Sequence, residues 1–142
     1  MLDIFIELLK NGEINPFRFG DSRRATIDHA GEPDGEYHFG EFEVLKYGGK
    51  QVYFENGQLV RYVHNAYEPI SVKLCGQALE FSTNTTIEQF ISLCDTFNIS
   101  WRIDQQRTFD RQLCIATNAR TSVIFDLDQM EFAKIEVGAV PD

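Results

Sequence analysis

An Asn-Gly pair between two β-type segments is the feature that most constrains the fold of this chain. Asn56-Gly57 separates residues 50–55 from residues 58–63, and both segments are rich in β-branched and aromatic side chains. Both central positions of a type I′ turn have positive φ, which Asn and Gly adopt at little cost. The pattern therefore predicts a β-hairpin, preceded by a turn at Gly48-Gly49 and by a strand over residues 41–47.

Helical and strand-like patterns alternate along the rest of the chain. Apolar residues recur at helical spacing over residues 2–10 and 87–97, and Thr85 and Glu88 have the spacing of a capping box. Asp21 is a suitable N-cap for a short helix over residues 22–30. Five further strands are predicted, and they cover residues 70–75, 99–103, 112–117, 122–125 and 130–137.

The two halves of the chain resemble each other in sequence. Residues 52–60 match residues 123–131 at a constant offset of 71. Thr26-Ile27-Asp28 and Thr86-Ile87-Glu88 lie upstream of the first and second match, respectively. This self-similarity indicates a duplicated unit of one helix followed by a group of strands.

We therefore predict an α+β fold built from two tandem repeats of a helix and an antiparallel β-meander. The repeats cover about residues 21–75 and 83–137. No linker rich in Pro, Gly or Ser separates them, so residues 1–142 are expected to form one compact domain. Six apolar side chains are predicted to be buried in its core: Phe54, Leu59, Phe90, Ile91, Phe125 and Phe132.

The composition is that of an ordinary globular domain and argues against several classes of function. Hydrophobic residues make up 43% of the 142 residues, which is enough for a core without a metal or a disulfide. The net charge of −9 argues against direct nucleic-acid binding, which needs a basic surface. The N-terminal residues lack the pattern of a secretory signal, and no apolar run approaches the roughly 20 residues of a membrane span. We expect a cytoplasmic protein, or one exported without a cleaved signal, that does not bind membranes.

No residue pattern in the chain predicts a reaction. Cys75, Cys94 and Cys114 have no zinc or redox spacing, so they are expected to be buried thiols, with a reactive thiol as the alternative. His29 and His38 lie among acidic residues but lack the i, i+4 spacing of a helical metal site, and we expect them on the solvated surface. A nucleophile elbow and a phosphate-binding Gly-rich loop are both missing from the sequence. We therefore predict a protein that is not an enzyme and needs no cofactor.

The distribution of charge points to a candidate binding surface. Residues 28–43 contain six acidic residues and no Lys or Arg, and Gly31, Pro33 and Gly35 predict a mobile turn within them. One explanation is a solvated loop, and the other is a negative face that steers a basic protein partner. Aromatic residues between the acids would anchor such a partner. The predicted partner-binding residues are Asp28, Glu32, Asp34, Glu36, Tyr37, Glu41 and Glu43.

Motifs in the first half resemble a known α/β repeat. A helix that ends in Gly-x-Pro-Asp is followed by an aromatic strand and by a Phe-x-x-Gly-x-Leu-Val hairpin. This order is similar to the repeat of β-lactamase inhibitor proteins and of outer-membrane assembly lipoproteins. The matching segments here are Ala30-Gly31-Glu32-Pro33-Asp34, Tyr37-His38-Phe39-Gly40 and residues 52–60.

Motifs in the second half resemble the closing segment of small bacterial immunity-like proteins. The matching segments are Ile99-Ser100-Trp101, Thr108-Phe109-Asp110 and the hairpin from Phe125 to Met130. The resemblance covers roughly residues 21–137 and implies a protein of a toxin–immunity system. The chain lacks the signal and lipid-anchor cysteine of the lipoproteins and the disulfides of the secreted inhibitors. Neither an envelope location nor β-lactamase inhibition is therefore implied.

Three hypotheses about function follow. The first is a non-enzymatic binding protein of the immunity type, which occludes a basic toxin domain such as a nuclease with its acidic side chains. The second is a small ligand-binding domain or enzyme that uses a pocket between the two sheets. The third is a structural or oligomerisation domain. The identity of the partner and the oligomeric state do not follow from the sequence.

Overall fold

The structure is a computed structural model that describes residues 4–74 and 77–139. It contains three α-helices, which are α1 (Ile4–Asn11), α2 (Arg23–Ala30) and α3 (Ile87–Thr96). The strands are β1 (Gly35–Phe39), β2 (Phe42–Tyr47), β3 (Lys50–Glu55), β4 (Gln58–Asn65), β5 (Ile70–Leu74), β6 (Gln77–Phe81), β7 (Arg102–Ile103), β8 (Gln112–Ala116), β9 (Thr121–Asp126) and β10 (Glu131–Gly138). A short 3₁₀ helix, Gln105–Arg107, lies between β7 and β8. None of the described helices is long and apolar enough to cross a membrane.

Eight of the strands form one antiparallel sheet in the order β1-β2-β3-β4-β10-β9-β8-β7. The first four strands and the last four therefore lie side by side, joined where β4 pairs with β10. Strands β5 and β6 form a separate hairpin. The predicted α+β class is confirmed, but the two meanders share one sheet. The two meanders are therefore not two facing sheets with a pocket between them, as the ligand-pocket hypothesis assumed.

The pairing of β4 with β10 is regular, and each of the two strands carries a bulge in the pairing with its other neighbour, β3 or β9. Val63 pairs with Glu136 at the middle of the ladder. In β4, Val60 is the extra residue of a bulge, and its carbonyl accepts a hydrogen bond from Ala139 N at 2.8 Å. In β10, Ala133 is the extra residue, and its carbonyl accepts from Ala66 N at 2.9 Å. The two bulges thus make equivalent contacts across the same ladder.

The hydrophobic core lies on one face of the large sheet, which we call the inner face. Residues of α1 and α3 pack there with alternate residues of the central strands. The ring of Phe90 in α3 lies 5.8 Å from that of Phe125 in β9. Five of the six predicted core residues are almost fully buried: Phe54, Leu59, Phe90, Phe125 and Phe132. Ile91 is only half-buried because it borders the α3 stripe, where Leu93 and Cys94 are buried instead.

The predicted hairpin is confirmed, because Asn56 and Gly57 have φ values of 52° and 77°. The starts of two helices were each predicted one residue too early. Ser22, not Asp21, caps α2 by accepting from Ala25 N. Thr86 and Gln89 form the capping box of α3, because the Thr85 hydroxyl already accepts from Ser82 N at 3.0 Å.

Two further predictions about local structure were only partly right. Tyr37, His38 and Phe39 lie in the expected aromatic strand, but β1 begins at Gly35, inside the predicted turn, because Gly35 already pairs with Lys46 of β2. The strand predicted over residues 99–103 is reduced to Arg102 and Ile103. The residues before it belong to the end of α3, where Ile99 N donates to Cys94 O.

Candidate functional site

The acidic stretch Asp28–Glu43, which we call the acidic segment, follows the free edge of the sheet. It runs from the last turn of α2 through β1 to the start of β2. Strand β1 stands first in the strand order, and all five of its residues are exposed. All seven predicted partner-binding side chains are exposed. The segment therefore presents an edge strand whose outer side pairs with no other strand among the described residues.

The pleat of β1 and β2 places three of the predicted partner-binding residues on two different faces of the sheet. Glu36 pairs with Leu45 and Glu43 pairs with Phe54, so both carboxylates lie on the inner face of the sheet, beyond the core. Tyr37 pairs with Val44 and lies on the opposite face, which we call the outer face. The structure thus brings Glu36 and Glu43 to the same face and places Tyr37 on the other side of the edge.

Two arginines from outside the acidic segment partly neutralise it. Arg23 forms an ion pair with Glu36, and the hydrogen bond and charge of Glu36 raise the pKa of Arg23. Arg24 Nε lies 3.5 Å from Asp28 Oδ1, one turn away on α2. Neither pair follows from the charge pattern of residues 28–43, because both arginines precede that stretch.

The remaining acids of the segment divide into one with a local structural role and three without a partner. The Asp34 carboxylate accepts a hydrogen bond from Gly48 N at 2.6 Å and so ties the start of β1 to the next turn. Among the described residues, no Lys, Arg or His nitrogen lies within 4.0 Å of a carboxylate oxygen of Glu32, Glu41 or Glu43. These three carboxylates are the part of the segment most available to a basic partner.

Aromatic side chains and an arginine line the outer face beside Tyr37. The rings of Phe42 and Tyr53 lie 5.9 Å apart at a steep angle. The Arg61 guanidinium lies over both rings, with Cζ at 5.6 Å and 5.4 Å from their centroids. Burial raises the pKa of Tyr37, which nevertheless remains 40% exposed. This face combines large aromatic surface with a fixed cation, which is typical of protein-binding surfaces.

A second cluster, around His64, is not predicted by any sequence motif. His64 is only 6% exposed. Its Nε2 lies 2.8 Å from the carbonyl of Glu68, which can only accept, so Nε2 carries the hydrogen. Nδ1 then accepts from the Tyr62 hydroxyl at 3.2 Å. Burial lowers the pKa of His64, which favours the neutral imidazole.

The His64 cluster lies at a cavity of about 480 Å³ between α1 and the strands. Apolar side chains of α1 line one side, and Lys50, Tyr62 and His64 line the other. Glu68 Oε2 is buried without a hydrogen-bond partner among the described residues and lies 3.7 Å from His64 Nε2. The cavity thus combines apolar walls with several converging polar groups.

The described cysteines are buried free thiols. Burial raises the pKa of Cys94 to about 12 and also raises that of Cys114. Both therefore remain protonated near neutral pH, which disfavours nucleophilic reactivity. Cys75 lies outside the described residues.

No group of three His, Cys, Asp or Glu side chains in residues 4–74 and 77–139 is placed to hold a metal ion. Comparison of the chain with protein-family models, curated proteins and solved structures finds no match. The acidic segment, the aromatic outer face and the His64 cavity are the three features of the described residues that bear on function.

Proposed function

We propose that this protein is a non-enzymatic binding module that occludes a basic protein partner, as an immunity-type inhibitor does with a toxin domain. The observation that carries the proposal is the exposed edge at β1, where Glu32, Glu41 and Glu43 have no ion-pair partner among the described residues. Uncompensated carboxylates attract basic surfaces over distances of about a Debye length, roughly 8 Å at physiological ionic strength.

The mechanism would be occlusion of a groove that normally accepts a polyanion. The three free carboxylates would occupy the positions that substrate phosphates take in the partner. Phe39, which is 65% exposed, and Tyr37 would contribute apolar contact area on the outer face of the same edge. Because the acids and aromatics lie on both faces of β1, a partner that wraps around the edge would contact both groups.

The test compares two charge-reversed variants with the same net charge. In the first, Glu32, Glu41 and Glu43 are replaced by Lys. Asp34 and Glu36 are left intact, because they make internal contacts whose loss would perturb β1.

The control variant replaces three exposed acids outside the segment, Glu13, Glu80 and Glu88, by Lys. Both variants are first checked for wild-type thermal unfolding.

A partner captured on the wild-type protein is purified, and its association kinetics are measured at several salt concentrations. We expect association with the segment variant to be at least tenfold slower at low salt, while the control variant changes much less. The wild-type on-rate should also fall as salt rises. An on-rate that is indifferent to salt and equal for the two variants would contradict the proposal.

The tandem duplication of residues 21–75 and 83–137 is also a proposal. The two bulges beside the β4–β10 ladder support it, at an offset of 73 residues where the sequence match has 71. The same offset relates the bulge residues Val60 and Ala133 and their hydrogen-bond donors Ala66 and Ala139. Co-expressed fragments 1–82 and 83–142 should co-purify if each half is one unit and the ladder joins them. Failure of soluble fragments to associate would count against two separable repeats.

A second candidate function is the binding of a small ligand in the His64 cavity. The buried Glu68 Oε2 favours it, because this atom lies 4.0 Å from Lys50 Nζ and 3.7 Å from His64 Nε2 without a hydrogen bond among the described residues, and a ligand N–H or O–H donor would supply one. A thermal-shift screen of small amines and alcohols would test this function, with Glu68→Ala as the variant that should lose any response. A wild-type protein that responds to none of them would reject this candidate.

A further inference from the structure

We propose that a cleft on the outer face of the sheet, framed by Arg61, Arg107 and Arg120, binds the phosphate group of a small molecule. The cleft has a volume of about 530 Å³, and the three arginines line it together with Ser122 and Gly138. They come from β4, from the 3₁₀ helix and from the turn between β8 and β9. We call this site the arginine cleft. Phe42 of the acidic segment contacts Arg61, but the site does not depend on the function proposed above.

Arg61 is held in position by contacts that leave its N–H groups free. Its Cζ lies 5.6 Å from the centroid of the Phe42 ring and 5.4 Å from that of the Tyr53 ring, so both rings make cation–π contacts with it. No described carboxylate oxygen lies within 4.0 Å of its nitrogens, and no described group accepts a hydrogen bond from them. All five in-plane donors of a guanidinium are therefore available to a ligand.

Arg120 is held in a similar way from the other side of the cleft. Its Cζ lies 5.6 Å from the centroid of the Phe19 ring, and its Nη2 donates to the carbonyl of Asn11 at 2.7 Å. A Cβ atom at Gly12 would lie 2.7 Å from Arg120 Nε, so the glycine leaves room for this side chain. A guanidinium that is ordered before a ligand arrives loses less conformational entropy when it binds.

Arg107 completes the frame, and the nearby carboxylates are already engaged. Its Nη1 donates to Ser122 Oγ at 2.8 Å and its Nη2 to Glu136 Oε2 at 2.5 Å. Lys134 Nζ contacts the other oxygen of Glu136 at 3.0 Å. Asp104 Oδ1 accepts from the backbone N of Gln106. Because Asp104 and Glu136 also line the cleft, its three arginines outnumber its two carboxylates by one, although the chain as a whole carries −9.

Three arginines that line one cleft from three elements suit a phosphate better than a carboxylate. A terminal phosphate presents three oxygens in different directions and a charge of about −2, whereas a carboxylate presents two oxygens in one plane. A nucleic-acid strand is disfavoured because its extended backbone would lie against an acidic protein. The arrangement therefore indicates a small phosphorylated ligand, and the volume of the cleft leaves room for atoms beyond the phosphate.

The test measures binding of inorganic phosphate and pyrophosphate to the full chain by isothermal titration calorimetry at constant ionic strength. Citrate serves as the carboxylate probe. The double variant R61Q/R120Q is compared with R24Q/R111Q, which removes two exposed arginines outside the cleft. We expect saturable pyrophosphate binding, at least tenfold weaker in R61Q/R120Q and unchanged in R24Q/R111Q. Citrate should bind at least tenfold more weakly than pyrophosphate.

If R61Q/R120Q does not fold, pyrophosphate binding is measured on the single variant R120K instead. Lysine keeps the positive charge but lacks the planar guanidinium with its paired N–H donors. Pyrophosphate binding that is several-fold weaker in R120K would support the arginine cleft. The proposal is overturned by the absence of saturable binding of both phosphates, by equal losses in the two double variants, or by citrate binding as tightly as pyrophosphate. It is equally overturned by wild-type binding in R120K.

Discussion

Val63 and Glu136 are paired at the centre of the ladder that joins the two halves of the sheet. The Glu136 side chain is only 14% exposed and forms ion pairs with Arg107 and Lys134. Burial by itself would raise the pKa of Glu136, but the hydrogen bonds from these two cations lower it below its ordinary value of 4.5. The β4–β10 pairing that joins the two halves therefore contains a network of ion pairs as well as backbone hydrogen bonds.

The first prediction concerns this network and its dependence on pH. Because the folded state lowers the pKa of Glu136, its stabilisation is complete above pH 4.5 and is lost as pH falls through the folded value. Glu136→Gln should therefore reduce the free energy of unfolding by about 1–3 kcal/mol at pH 7. The difference from wild type should shrink at pH 3, where the wild-type carboxyl is increasingly protonated.

Urea unfolding at both pH values measures this difference. Glu131→Gln is the control, because Glu131 lies on the same strand and has no ion pair among the described residues. An equal loss of stability in Glu136→Gln at pH 7 and pH 3 would show that the charge of Glu136 does not contribute.

The second prediction concerns the buried imidazole of His64. Burial lowers its pKa below the ordinary value of 6.5, so the unfolded chain binds a proton more readily than the folded one. Stability should therefore be complete above pH 6.5 and decrease as pH falls below it. His64→Gln should remove part of this pH dependence, which chemical unfolding between pH 7.5 and 5.5 would measure.

Tyr62→Phe is the matched control for His64. It removes the hydroxyl that contacts Nδ1 but keeps the imidazole, so stability should still decrease below pH 6.5. A wild-type protein and a His64→Gln variant with the same slope over this range would contradict the prediction.

The third prediction concerns the turn at Asn56-Gly57. Gly57 has φ of 77°, and a Cβ atom there would meet nothing within 4 Å, so replacement by Ala tests the backbone conformation alone. Gly57→Ala should lower the free energy of unfolding by about 1 kcal/mol, because L-residues disfavour positive φ. Gly35→Ala is the control, since that position is equally open and does not have positive φ. Equal effects of the two substitutions on thermal unfolding would refute this explanation.

The fourth prediction concerns the contact between α3 and the sheet. Phe90 is 1% exposed and packs against Phe125, so Phe90→Ala should cost about 3–5 kcal/mol of unfolding free energy. Phe109, which is 56% exposed, provides the control for loss of a phenyl ring at the surface. We expect Phe109→Ala to change stability by less than about 1 kcal/mol. Denaturant unfolding would measure both, and a Phe90→Ala variant as stable as wild type would be inconsistent with the packing of α3.

Elements whose structure depends on near neighbours could be predicted from the sequence. The hairpin at Asn56-Gly57 follows from the φ preferences of two adjacent residues. The α3 stripe follows from helical spacing, which placed Phe90 and Cys94 on the buried face. Errors of one residue occurred at the helix starts, where adjacent hydroxyl groups are both able to cap; Thr85 accepts from Ser82 N, whereas Thr86 accepts from Gln89 N and caps α3.

Contacts between distant residues were decided only by the tertiary structure. The start of β1 at Gly35 and its place at the sheet edge became visible through its pairing with β2, and Arg23 reaches Glu36 because α2 lies beside that strand. No sequence spacing indicates that Arg61, Arg107 and Arg120 line one cleft, or that His64 is buried. Local patterns specify backbone conformation and the face that is buried. Which side chains meet depends on strand order and register, and these are set by the packing of the whole chain.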